Sequence, residues 1–307
     1  MNKSSNVVWC QLPNAGLGNQ LFPLMKAYVF AHLNKLPVVV TGYHQIKIGP
    51  YFRNERTKRR YSNSFTFQKN ILSAFFDMIK MRNFKSQSLV HDPLTEIILD
   101  IPDNNLYHFS RIPHWDDYFK DLKSHRPLVI KLFWEILREP IKQQLAKLTS
   151  PVIGVHIRMG DFRKLRATED FSKVGTVRTP EEYFIDVILS IRNIHGSKLP
   201  VSIFTDGFEN EVRKILQIEN VKLFESKGDI VDMLLLSKSK IIVTSAGSTF
   251  GYWAGFLSDA PIILHPAHIH QSLRANLGSD FYEGPADSNS QLLNLQIKSI
   301  VHASPKN

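Results

Sequence analysis

The chain has 307 residues, more than one ordinary domain needs and enough for two hydrophobic cores. Hydrophobic residues make up 43% and charged residues 21%, a globular composition that excludes a disordered or fibrous chain. The net charge of +10 points to an anionic partner, the single cysteine excludes an intrachain disulfide, and no apolar run is long enough to span a bilayer.

The first residues, Met1 to Asn6, lead into only a short apolar run, so neither a signal peptide nor an anchor is read there, and a cytoplasmic protein is expected. Residues 7–12 read as a strand holding Cys10 as a packed core residue. Residues 13–18 form a turn, 20–33 repeat at helical spacing, and 37–40 form a second strand. The segment 43–130 resists assignment. It holds a basic patch, Arg53 to Arg60, and the aromatics Phe65, Phe67, Phe75 and Phe76. Residues 136–148 read as a helix and 149–151 as a linker.

Beyond the linker, strands and helices alternate. Strands are expected at 152–157, 201–204, 221–224, 241–244 and 261–264, and helices at 210–217, 230–237 and 249–257. Thr179-Pro180-Glu181-Glu182 reads as a helix start, with Thr179 as N-cap and Glu182 closing a capping box. Phe184, Ile188 and Ile191 continue it as an apolar stripe. This order implies a parallel sheet flanked by helices. The expected division is an N-terminal Rossmann-like domain over 1–150, a second over 151–286, and a closing helix and tail over 287–307.

Three segments carry chemistry. Gly16-Leu17-Gly18-Asn19-Gln20 sits between the first strand and helix, where glycines let a backbone approach an anion and the helix start favours negative charge. It departs from a dinucleotide fingerprint: Leu21 stands at the third glycine position, and residues 1–54 contain no Asp or Glu where about five are expected. The same glycines also suit a plain tight turn. His156-Ile157-Arg158-Met159-Gly160-Asp161 brings three polar side chains to the carboxyl end of a strand, where α/β sheets bind ligands. Arg158 has the planar fork that grips phosphate, though an Arg–Asp pair beside a packed histidine fits the pattern too. A hydroxyl-rich turn, Thr244 to Thr249, opens a helix with Phe250 and Trp253. Its amides and hydroxyls can take a diphosphate without a lysine. Asp206, at a strand end before Gly207, reads equally as a ligand or a turn residue, and Asp232 as a donor-edge acceptor for a purine or as helix-start charge.

Taken together, Gly16-Leu17-Gly18-Asn19-Gln20-Leu21-Phe22, His156-Ile157-Arg158-Met159-Gly160-Asp161 and Ser248-Thr249-Phe250-Gly251-Tyr252-Trp253 resemble, in order and spacing, the α-1,2-fucosyltransferases of glycosyltransferase family eleven. They are also similar to the wider GDP-fucose superfamily of core α-1,6 and protein O-fucosyltransferases. The resemblance covers the first 35 residues and most of 151–265. It implies a GT-B fold of two facing Rossmann-like domains and an inverting transfer of fucose from GDP-β-L-fucose to a glycan hydroxyl, with no metal or other cofactor. By position, Arg158 would hold the pyrophosphate with His156 beside it, Ser248 and Thr249 would bind phosphate oxygens, and Phe250 would stack near guanine. Asp232 would accept from the guanine edge. Asp206, from its strand-end position and not from the resemblance, is counted among the donor contacts. Asn19 and the Gly16 and Gly18 backbone would close over the phosphates, and Asp161 would brace the loop.

The chain departs from its relatives at two positions. Met159 follows Arg158 where many relatives have a second arginine, and Arg166 stands where core fucosyltransferases place a carboxylate base. Glu169 and Asp170 are the nearest replacements, with Asp161 a further candidate. The chain has no Asp-x-Asp sequence of the kind metal-dependent glycosyltransferases use. A lipid-linked acceptor and peripheral contact of the basic face with an anionic membrane are the expected setting. The rival readings are transfer of another nucleotide sugar, a basic nucleic-acid-binding protein, disfavoured because no nucleic-acid-binding signature is found, and a non-catalytic glycan-binding module.

Overall fold

The computed structural model describes residues 6–45, 48–52, 55–56, 61, 63–99, 103–268, 271–275 and 281–300. In chain order the elements begin β1 (Val7–Gln11), α1 (Leu17–Asn34), β2 (Val38–Thr41), α2 (Gly49–Phe52), α3 (Ile71–Arg82), β3 (Ser88–His91), β4 (Asn105–Phe109), α4 (Arg126–Ile136) and α5 (Glu139–Ala146). They continue β5 (Ile153–Ile157), α6 (Glu181–His195), β6 (Val201–Thr205), α7 (Arg213–Leu216), β7 (Val221–Leu223), α8 (Asp229–Ser237), β8 (Ile241–Thr244), α9 (Thr249–Phe256), β9 (Ile262–Ile263), β10 (Glu283–Gly284) and α10 (Gln291–Lys298). The chain forms two compact units, residues 1–47 with 60–143 and residues 48–59 with 144–307. Each is an α/β body around an all-parallel sheet.

The first unit has a four-stranded sheet in the order β2-β1-β4-β3. Helix α1 buries Leu21, Phe22, Met25, Val29 and Phe30 in the core and ends at Lys35 in the left-handed conformation. Pro23 lies inside it and removes the backbone donor that the Asn19 carbonyl would otherwise take. Cys10 is buried, and burial pushes its thiol far up, so it packs as a small apolar group. The unassigned stretch 43–130 turns out to contain α3, β3 and β4, with β4 buried along its whole length beside β1.

The second unit has a six-stranded sheet in the order β10-β9-β8-β5-β6-β7. The chain leaves β5 toward β6 and β7, then returns to build β8, β9 and β10 on the other side. The reversal between β5 and β8 makes the crevice where such sheets bind ligands. One core cluster packs β5, β6 and β8 against α6 through Ile153, Val155, Ile203, Val243, Phe184 and Ile188. Leu293 and Ile297 of α10 join it, so the tail closes on this core.

Two expectations of organisation shift. The division falls inside α5, ahead of residue 150, and the segment 48–59 groups with the second unit rather than the first. Most of the basic patch, Arg53 and residues 57–60, lies outside the described residues. Among those described, no helix is long and apolar enough to cross a membrane.

Candidate functional site

The carboxyl ends of β5 and β8 meet at the crevice of the second unit. His156 and Thr244 are register partners on these neighbouring strands. Ser245 joins the two ends. Its amide donates to the His156 carbonyl at 3.0 Å, its Oγ donates to the same carbonyl at 3.1 Å, and that Oγ accepts from the Arg158 amide at 2.8 Å. These bonds fix the direction in which Arg158 leaves the strand.

Two carboxylates then hold the Arg158 guanidinium. Nη2 donates to Asp161 Oδ1 at 2.6 Å and Nη1 donates to Asp206 Oδ2. The guanidinium also lies 5.6 Å from the centre of the Phe162 ring. Asp206 spends its other oxygen on the Met159 amide at 2.7 Å. Both Asp206 oxygens are therefore committed to Arg158 and its loop. Asp206, expected among the donor contacts, supports the arginine. A guanidinium has five N–H donors, and these bonds use two, so the fork can be clamped and still grip an anion.

His156 is 97% buried, its ring stacked on Phe250 with centroids 4.7 Å apart. Its Nδ1 is buried with no hydrogen-bond partner among the described residues. Burial, with the Arg158 charge beside it, pulls its pKa down to about 3, so the ring is neutral at physiological pH. Phe250 is thus occupied by the histidine on one face. Gly251 permits this packing: a side chain there would begin 3.0 Å from Thr244 and 3.2 Å from His156 Nδ1.

The linkage sign for His156 is that of a depressed base. The unfolded chain takes up a proton near the ordinary value of 6.5 and the folded chain only near 3, so stability is complete above pH 6.5 and is lost as pH falls toward 3. His265, pulled down to about 4 by burial and then by the His268 charge, adds in the same direction. The midpoint of thermal unfolding is expected to fall between pH 6.5 and 4, with a shallower slope in His156→Gln. An unchanged slope in that variant would place the effect elsewhere.

The turn before α9 is braced by side chains of the same unit. Gly247 sits at φ +68, a left-handed conformation that favours glycine, and its amide donates to the Tyr252 hydroxyl at 2.8 Å. The Ala246 amide donates to Thr179 Oγ1 at 2.9 Å. Thr179 was expected to cap α6. That helix instead starts after Pro180 without a side-chain cap, and the threonine serves this turn. Ser248 is the N-cap residue of α9 but its side chain caps nothing, and the first amides of the helix, from Thr249 on, have no intrahelical acceptor. A buried amide left alone costs about 1–3 kcal/mol. Thr179→Val should therefore lower stability by about that amount and weaken binding of any nucleotide held at this turn. Unchanged stability and affinity by denaturant titration and calorimetry would remove Thr179 from the site.

Other expected residues make structural contacts of their own. Asp232 accepts from the Ser226 hydroxyl and, at 2.8 Å, from the Lys227 amide, which shapes the loop into α8. Burial pushes its carboxyl up, opposed by those hydrogen bonds and then by the Arg56 charge. Arg56, read from the sequence only as part of the basic patch, reaches Gly207 O at 3.3 Å. Glu169 takes both arms of Arg163, at 2.6 and 2.8 Å, and the Arg166 amide at 3.0 Å. The Arg163 hydrogen bond, then the Arg166 amide, hold its carboxyl at about 2, which makes it a weak proton acceptor. Asp170 caps a short turn through the Ser172 amide and hydroxyl and is exposed. Both carboxylates thus brace the 163–178 excursion, which is closed by the bridge between Arg163 and Val177. Glu169→Gln is expected to cost less than about tenfold in turnover, against the 100-fold or more of a true base. A loss beyond 100-fold with intact donor affinity would restore it to that role.

In the first unit, Gly16 is the N-cap residue of α1 at an ordinary φ of −62, and Gly18 is buried in the first turn. The Leu17 amide donates to the Tyr61 hydroxyl at 2.9 Å. Gln20 secures the turn through the Pro13 carbonyl and Gln45, which reaches back to the Leu12 carbonyl. Asn19 Oδ1 is buried without a hydrogen-bond partner among the described residues. No group of three His, Cys, Asp or Glu among the described residues is placed to hold a metal ion.

Among solved structures, the chain is similar to NodZ from Bradyrhizobium, a fucosyltransferase, at 14% identity and a TM-score of 0.49, covering 87% of this chain and 97% of that one. A structure of the α-1,6-fucosyltransferase NodZ soaked with GDP-fucose matches at 14% identity and TM-score 0.48, covering 84% and 94%. POFUT1 in complex with GDP-fucose matches at 12% identity and TM-score 0.45, covering 93% and 98%. No curated protein matches the sequence. The family model of glycosyl transferase family 11 matches residues 2–272, which takes in the first unit and the whole Arg158 site. The chain belongs to glycosyl transferase family 11 and is a glycosyltransferase.

Proposed function

We propose that this protein moves L-fucose from GDP-β-L-fucose to a glycan hydroxyl, with inversion, as a galactoside α-1,2-fucosyltransferase. The observation that carries the reading is the Arg158 fork, fixed between Asp161 and Asp206 on a loop whose backbone is tied through Ser245 to the turn before α9. A leaving nucleoside diphosphate gains negative charge as the glycosidic bond breaks. A preorganised guanidinium and unpaired helix amides stabilise that charge more in the transition state than in the ground state. Neutral His156 packs behind the arginine and supplies shape, not a proton. The roles of Ser248, Thr249 and Asp232 toward phosphate and guanine are part of this proposal. Those of Gly16, Gly18 and Asn19 rest on the resemblance alone. The acceptor we propose is a surface polysaccharide unit on a lipid carrier, which agrees with the basic charge of the chain.

Calorimetry with GDP, UDP and CMP tests the donor, with GDP expected to bind most tightly. Turnover of GDP-fucose on a panel of galactosides, with product linkage read by NMR, tests the rest. Preference for UDP or CMP would overturn the donor, and a linkage other than α-1,2 would overturn the specificity. Turnover is expected to survive EDTA. Loss of activity on chelation, restored by Mn²⁺ or Mg²⁺, would show that a metal carries the diphosphate.

A further inference from the structure

Helix α3 of the first unit turns its apolar side outward. Its inward positions are Ala74, Asp77, Met78 and Met81, at the i, i+3, i+4, i+7 spacing of one helix face, and of these only Met81 is fully buried. The opposite face carries Ile71, Leu72, Phe75, Phe76 and Ile79, all exposed, Leu72 by 72% and Phe76 by 66%. The Phe75 and Phe76 rings pack only loosely against each other, with centroids 6.3 Å apart. Five large apolar side chains on one face of one helix form a contiguous patch of the kind that marks an interaction surface.

Charge chooses the occupant. Lys80 and Arg82 lie in the last turn and Lys85 follows it. Asp77 is the one acidic residue from 69 to 85, and it is paired with Lys69 at 2.6 Å. A second copy docking this face on itself would bring like charges together. An anionic bilayer satisfies both features: acyl chains take the aromatic and aliphatic side chains, and headgroup phosphates take the cations. The helix is about 18 Å long, too short to span a bilayer but suited to lie in its surface.

We propose that α3 is an interfacial membrane anchor. It lies in the plane of an anionic leaflet, with Ile71, Leu72, Phe75, Phe76 and Ile79 at the acyl boundary and Lys80, Arg82 and Lys85 at the phosphates. The purpose of this docking rests on the lipid-linked acceptor proposed above, and its physical test does not.

The full chain is sedimented with vesicles of phosphatidylcholine alone and of phosphatidylcholine mixed with phosphatidylglycerol. The protein is expected to partition onto the mixed vesicles and to be released by salt. Phe75→Glu with Phe76→Glu, and separately Lys80→Glu with Arg82→Glu, are each expected to lower partitioning by roughly 10- to 30-fold. Leu295→Glu, an exposed position on α10, is the control and should bind normally. The replaced side chains point outward, so the unfolding midpoints should not change. Wild-type protein that ignores the mixed vesicles, or α3 variants that bind as wild type, would overturn the anchor. So would a dimer in light scattering that Phe75→Glu with Phe76→Glu dissolves without any vesicle binding. Turnover on a soluble galactoside should be the same in all these variants. A chain that binds vesicles but turns over no GDP-fucose refutes the proposed reaction and leaves the anchor standing.

Discussion

Replacing Arg158 with alanine is expected to lower turnover by roughly 100- to 1000-fold while the second unit stays folded, the loss typical of a donor aimed at developing charge. The structure makes the upper end the expected one. Without the guanidinium, Asp161 and Asp206 remain at the carboxyl ends of β5 and β6, and two carboxylates would then face the proposed diphosphate instead of one clamped cation. Affinity for GDP should fall as well, because the ground state already carries diphosphate charge. Arg158→Lys should recover only part of the rate. An ammonium is a point charge, and it cannot bridge Asp206 and Asp161 and still present a flat edge to phosphate. Single-turnover rates with GDP-fucose, with GDP affinity measured by calorimetry, separate the two effects. Near-normal rates in a folded Arg158→Ala protein would remove the arginine from the chemistry and leave the pair with Asp206 as a structural one.

The second large effect is expected at Asp206, for a different reason. Its side chain is 10% exposed, and its two oxygens hold the Met159 amide and the Arg158 guanidinium. Asp206→Ala leaves a mostly buried arginine with one partner fewer and an amide with none. Removing one member of a buried pair costs about 3–5 kcal/mol, and the 17% exposure of Arg158 places this case toward the lower end. In a unit of this size that corresponds to a drop of roughly 6–12 °C in the unfolding midpoint. Turnover should fall by about 100-fold, because an arginine misplaced by an ångström would no longer meet the phosphate proposed for it. Asp206→Asn keeps the acceptor for Met159 and removes the charge, so it should lie between alanine and wild type in both stability and rate. A nucleotide contact would behave differently: GDP affinity would fall while the unfolding midpoint stayed put. That outcome would return Asp206 to the donor contacts.

Much of the second unit was legible because its signals are local. The strands at β5, β6, β7 and β8 and the helices at α8 and α9 follow from apolar runs bounded by turn residues, and each lies within a few residues of its reading. The motif around Arg158 could be read as a site because three polar groups at a strand end need partners wherever that strand goes. The first unit was legible only in its opening strand–turn–helix–strand pattern. Between 43 and 130 the strands β3 and β4 are short and interrupted by loops, and α3 has its large apolar side chains facing outward, so no periodicity announced a core.

The sequence alone determined the family, the alternation that makes a parallel sheet, and the identity of Arg158, Asp161, His156 and the turn before α9 as the polar groups to explain. Tertiary structure alone decided which of them hold one another. Asp206 meets Arg158 across 48 residues, Thr179 meets Ala246 across 67, and Ser245 meets Arg158 across 87. A hydrogen bond between residues so far apart leaves no trace in local spacing, because it depends on the order in which strands enter the sheet. That order places β8 beside β5 and brings the turn of one strand onto the loop of the other. The same cause moved Thr179 from helix cap to turn support. Each side chain had a local role open to it, and the fold put a better partner within reach.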